Sequence, residues 1–163
     1  MIHAQTLIAL LATLHIATAT SCQRSHPSIS PTTQRVQLGD KTFVLELALD
    51  PATRYQGLSD RSAIADNGGM LFVFPDAQPR QFVMRRCPVP IDIIFLDAGG
   101  RVVATQAMQV EPYDTAEGDL RRYSSQWPSQ FAIELAGGTL AKLALSPGQR
   151  IILPLDDLKR HAR

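Results

Sequence analysis

The chain predicts a mainly β (α+β) domain, a compact twisted sheet or partly open barrel built from hairpins with two short helices. Apolar residues alternate with polar or small ones on both sides of Gly39-Asp40, with Val36 and Leu38 before it and Phe43, Leu45, Leu47 and Leu49 after it. Ile91–Leu96 and Arg101–Val110 flank Asp97-Ala98-Gly99-Gly100, a second hairpin.

Taken in order, the opening hairpin is followed by Asp50-Pro51, a cap with proline at the first helical position, and a short helix over Ala52–Leu58. Gly68-Gly69 permits the positive φ of a turn before the apolar run Met70–Phe74, read as a buried strand. Pro75–Pro79 is expected to break the chain, and Gln81–Met84 to form a brief strand. Pro88 and Pro90 forbid helix ahead of the strand Ile91–Leu96. Glu111–Gln130 reads as a loop, long for a compact domain and therefore a candidate for function. Phe131–Leu135 is the next strand, Ala136–Ala144 a short helix, and Arg150–Leu155 a closing strand after Pro147-Gly148.

The 163 residues suit one domain, and sixteen Lys+Arg against fifteen Asp+Glu leave a net charge of +1. No global field then favours nucleic acid, and no nucleic-acid partner is expected. Met1–Ser21 carries no Lys, Arg, Asp or Glu, and its apolar run Leu7–Ala19 is shorter than the roughly 20 residues of a spanning helix. It reads as a secretory signal over 1–21. Ala19-Thr20-Ser21-Cys22 looks like a bacterial lipobox, which makes Cys22 the expected lipidation site and the lipid a membrane partner. Cleavage after Ala17-Thr18-Ala19 is the alternative. Gln23 rather than Asp after that cysteine points to the outer membrane, on the periplasmic side of a Gram-negative envelope. The expected organisation is a signal at 1–21, a polar tether at 22–34, a monomeric folded domain at 35–155 and a fraying charged tail at 156–163.

Histidine is missing from the predicted folded domain, where neither a Ser-His-Asp triad nor a Cys-His dyad has a base. Zinc and copper lose their commonest nitrogen ligand, and the spacing of Asp66, Asp76, Asp92 and Asp97 fits no calcium loop. Neither metal nor cofactor is expected. Cys87 lies between Arg85-Arg86 and Pro88, where adjacent charge would activate an exposed thiol; a small buried hydrophobe is the favoured reading. Asp92 interrupts an apolar strand and calls for a cation, with Arg54, Arg61, Arg85 and Arg86 as candidates. Arg121-Arg122 beside Tyr123 reads as a solvated loop, and Trp127 either covers a pocket mouth or pins that loop.

The succession Gly57-Leu58-Ser59-Asp60-Arg61, Gly69–Phe74, Phe82-Val83-Met84, Pro90–Phe95, Tyr123, and Glu134-Leu135 with Gly137 resembles the bacterial and archaeal domain-of-unknown-function family 192, DUF192. Val83 stands where that family commonly has Trp, and Arg86-Cys87 where Asn-Thr is usual. The resemblance implies a compact, mainly β fold with short helices, frequent export and no established catalysis.

The leading functional expectation is non-enzymatic. It is an exported, tethered domain binding a small polar or anionic ligand, a glycan or an envelope partner. The cleft would lie between the Arg85 bend and the loop from Glu111, with Arg54, Arg61, Arg85, Arg86, Asp92 and Tyr123 as ligand-binding residues. The alternative is a glycosidase-like hydrolase using Asp92 and Glu134 as acid and base.

Overall fold

Two long antiparallel strands, β3 (Met70–Phe82) and β6 (Tyr123–Ala136), form the spine of the computed structural model, which describes residues 32–163. The signal, Cys22 and most of the tether lie outside the described residues. Around the spine are β1 (Thr33–Leu38), β2 (Lys41–Ala48), β4 (Ile91–Leu96) and β5 (Val102–Met108), in the order β1-β2-β3-β6-β4-β5. Only the β2–β3 pair is parallel, so the six-stranded sheet is mixed and open. The expected mainly β fold is the one observed, with three short helices rather than two: α1 (Pro51–Gln56), α2 (Leu140–Leu143) and α3 (Leu155–His161).

Side chains alternate across a strand, so register assigns each residue to a face. Ile93 sits opposite Glu134 and Asp92 opposite Leu135. Leu71, Ile94, Leu96, Ile133 and Leu135 therefore point one way, into a core completed by Phe43 and Leu45 and sealed by Leu143 of α2 and Leu158 of α3. Phe72, Ile93, Phe95 and Ala132 point the other way, against Leu58, Met84, Cys87 and Tyr123.

Several elements differ from expectation for identifiable reasons. β3 is one strand, not two pieces around a break, because β2 pairs with it only as far as Phe72. Beyond that point its outer edge is open, where Pro75 and Pro79 cost no ladder bond, and the register to β6 shifts around them. The predicted loop 111–130 ends at Arg122, since Tyr123–Gln130 pairs with β3. Because the pairing of β4 with β6 ends at Phe131, residues 74–82 and 123–130 pair, among the described residues, only with each other and form a two-stranded arm, which hides their strand pattern. Arg150 makes a single bridge to Arg101 instead of opening a strand. The tail expected to fray carries α3, whose Leu155 and Leu158 pack on the core while charged residues mask that spacing. Asp156 and Asp157 in its first turn and Lys159 and Arg160 in its last complement the helix dipole.

Candidate functional site

Where the arm leaves the sheet, it opens a cleft of about 490 Å³ against α1. Helix α1 is fixed by a capping box: the Asp50 carboxylate accepts from the Ala52 and Thr53 amides at 2.9 and 3.0 Å, with Pro51 at the first position. The helix ends at Gly57, whose φ of 51° turns the chain down onto the sheet. This turn brings Leu58 and Ser59 to the lip of the cleft.

The floor is aromatic. Phe82 packs edge-on against Phe72 at 5.0 Å and Phe95 at 5.5 Å, and against Phe74 at 6.4 Å. Phe74 in turn lies under two cations, Arg80 at 4.1 Å and Arg54 at 5.4 Å. Arg54, Arg80, Arg85 and Arg122 line the cleft with the surface carboxylate Glu117, and Arg80 is paired with Asp76 at 2.5 Å. Arg85 stacks on the Tyr55 ring at 3.6 Å, donates to the Tyr55 carbonyl and reaches Glu117 at 3.3 Å. The Arg54 guanidinium donates to the carbonyls of Leu49 and Val73 at 2.8 and 2.9 Å and to the main-chain oxygen of Arg163 at 2.5 Å, with the Asp50 carboxylate nearby.

Glu134 closes the inner end of the cleft. Its Oε2 is buried and has no hydrogen-bond partner. Burial pushes the carboxyl up to about 8, against the smaller opposing pulls of the Leu58 amide and the Arg61 charge. It is therefore mostly neutral at pH 7. Cys87, also in the cleft wall, is buried too; burial and then the nearby Glu134 push its thiol up to about 11, so the expectation of an inert thiol holds over that of an activated one.

The structure divides the predicted site residues. Arg54 and Arg85 line the cleft; Arg61 instead forms a fork-to-fork pair with Glu46 at 2.5 and 2.8 Å. Arg86 pairs with Asp60 at 2.8 and 3.0 Å, and Tyr113 donates to the same carboxylate at 2.6 Å, holding Asp60 down at about 2. Tyr123 is a core residue whose hydroxyl accepts from the Gln109 amide at 3.0 Å. Asp92 has no arginine partner: its Oδ2 accepts from the Leu140 amide at 2.7 Å, at the start of α2. The ion pair expected for Asp92 is thus replaced by a helix-end bond. The proposed acid–base pair also fails geometrically, because Asp92 and Glu134 project from opposite faces of the sheet.

Arg80 and Glu117 were not legible as site residues. Arg80 follows Pro79 in a segment read as a chain break, and Arg122 looked like a solvated loop residue. Trp127 is 63% exposed and lies outside the cleft lining, so it covers no pocket mouth there. Among the described residues, no group of three His, Cys, Asp or Glu side chains is placed to hold a metal ion, and no helix is long and apolar enough to cross a membrane.

The family model for DUF192, described as "Uncharacterized ACR", matches residues 33–153. This chain belongs to the DUF192 family. Two solved structures are similar to it. A crystal structure from Sinorhizobium meliloti 1021, proposed in its own description to be a transcription regulator, is 30% identical over 72% of this chain and 89% of that one, with a TM-score of 0.61. A protein of unknown function from Novosphingobium aromaticivorans DSM 12444 is 26% identical over 84% of this chain and 99% of that one, with a TM-score of 0.63. No curated protein matches the chain. In this DUF192 domain, separate motif segments meet at one place: Gly57-Leu58-Ser59 at the lip, Phe72, Phe74 and Phe82 on the floor, and Glu134 at the inner end.

Proposed function

We propose that this DUF192 chain is an exported, lipid-anchored binding domain whose cleft takes a small anionic ligand with an apolar body. The observation that carries the reading is the set of four arginines lining the cleft above an aromatic floor. Of these, Arg80 is paired with Asp76 and Arg85 with Glu117, while Arg54 and Arg122 bond main-chain oxygens. Guanidinium forks match carboxylate and phosphate oxygens, and the phenylalanine rings suit an apolar body rather than a bare ion. A cleft of about 490 Å³ falls within the size range of small-molecule sites. Export and the lipid rest on the leader and Cys22 and are tested by intact-mass measurement of membrane-extracted protein; an unmodified Cys22 would end that part.

A regulatory role of the kind named for the Sinorhizobium relative would call for contact with nucleic acid. A net charge of +1 offers little long-range attraction to a polyanion, and the arginines here line a pocket rather than a face.

The binding reading is tested by thermal shift with a panel of organic acids and phosphates. Stabilisation by the best ligands should be lost in Arg85→Ala and kept in Arg86→Ala, whose arginine pairs outside the cleft. Equal responses from both variants would remove Arg85 from the site.

A further inference from the structure

We infer that the occupant of the cleft is an organic acid whose apolar body ends in a neutral hydrogen-bonding group, a hydroxyl or carbonyl, received by the Glu134 carboxyl. This deepens the binding reading and rests on it. Three observations converge. Glu134 Oε2 is an unsatisfied polar atom in a residue only 5% exposed, and such atoms are uncommon in native interiors. The residue lines a cleft rather than a sealed core, so the unpaired oxygen lies just behind the wall that a ligand would touch, within reach after a small shift of its neighbours. Gly57 borders the carboxyl without crowding it, since a β-carbon there would meet Oε2 at 3.6 Å and the Phe72 ring at 3.4 Å, both ordinary contact distances.

The chemistry of the inner group follows from the charges around it. A cationic amine would need an ionised Glu134 and would have to pass four arginines, so the site disfavours amines at its entrance. A second anionic group would meet aromatic rings and a carboxyl with no cation in contact. A neutral hydroxyl or carbonyl meets neither obstacle. The carboxyl in its neutral form donates from one oxygen, and a ligand hydroxyl can both accept that bond and return one. Sites that leave a buried polar group unpaired in the absence of the matching ligand group discriminate strongly for it.

The test uses matched probes: phenylacetate with para-hydroxyphenylacetate, and phenylbutyrate with its para-hydroxy form. Tyramine serves as the cationic analogue. Affinities are measured by calorimetry on the parent domain, Arg85→Ala, Glu134→Leu and Glu134→Gln. The parent should favour the hydroxylated member of at least one pair by about tenfold. Glu134→Leu should abolish that preference while leaving the unsubstituted acid bound, and Arg85→Ala should weaken both members alike. If Glu134→Leu does not fold, Glu134→Gln supplies the second arm: it retains a donor and should keep the preference. Two acids that bind equally while both depend on Arg85 would overturn this inference and leave the anion-binding reading standing. Tyramine binding more tightly than either acid, or no acid binding that depends on Arg85, would overturn both.

Discussion

Asp92 and Glu134 are both buried carboxylates on adjacent strands, yet one faces a sealed layer and the other an open one. Asp92 meets the Leu140 amide and so serves the fold by holding the start of α2. Glu134 is left with a bare oxygen at the end of a cleft. Register alone separates them: a one-residue offset on neighbouring strands sends side chains to opposite faces. A buried carboxylate in a strand is sealed in or left at a cleft according to what covers its face, which the strand sequence does not contain.

The largest expected effect tests the two layers themselves. Ile94 is fully buried beneath the sealed face, so Ile94→Ala should cost about 2–5 kcal/mol through lost burial and a cavity that cannot collapse. Phe82, a larger side chain, is only partly buried on the cleft floor; Phe82→Ala should cost about 1–2 kcal/mol because water already reaches its neighbourhood. Urea denaturation of both variants decides it. A greater loss from Phe82→Ala would mean that the cleft floor is as closely packed as the sealed core.

Next comes the pH dependence that the open-layer carboxylate should confer. Glu134 titrates near 4.5 in its unperturbed state and at about 8 in the fold, with Arg61 and the Cys87 thiol the charged and titratable groups around it. Between those values the native state holds a proton that the unfolded chain has released, so stability falls as pH rises. Glu134→Gln carries no such proton. Its stability relative to the parent should rise with pH across that window by up to about 1.4 kcal/mol per unit, then level off. Denaturation midpoints at three pH values measure this, and parallel curves for parent and variant would show that Glu134 is ionised and solvated.

Asp92 gives the smaller, structural counterpart. Asp92→Ala strips the acceptor from the Leu140 amide and should cost about 1–3 kcal/mol, whereas Asp92→Asn retains an oxygen and should cost less. A loss of 3–5 kcal/mol, the range for breaking a buried ion pair, would point to a cation partner instead.

These contrasts explain how much could be read from the chain. The two β hairpins around Gly39-Asp40 and Asp97-Ala98-Gly99-Gly100 declare themselves in local alternation, and the capping sequence Asp50-Pro51 forms the helix start it implies. What escaped was anything set by a neighbour. β3 reads as broken because an open edge tolerates Pro75 and Pro79, and α3 reads as a tail because its apolar spacing matters only beside the core. Among the arginines, local motif could not tell which would pair with Glu46 or Asp60 and which would face the cleft.

The smallest effect concerns the far end of the helix that Asp92 holds. Helix α2 is one turn long and ends at Ala144, which adopts the left-handed conformation with φ 43° and ψ 41°. A β-carbon is disfavoured there, and Ala144 is exposed, so Ala144→Gly relieves strain without removing packing. The substitution should stabilise the domain by about 0.5–1 kcal/mol, offset in part by the greater freedom of glycine in the unfolded chain. Combined with Asp92→Ala it becomes a test of whether α2 folds as a unit. If the two ends act together, the gain from Ala144→Gly shrinks when the Asp92 acceptor is gone, because the helix whose end it eases is already loosened. If the gain is the same in both backgrounds, Asp92 fixes a single amide rather than the helix, and the sealed face owes its closure to the packing of Leu143 and Leu158.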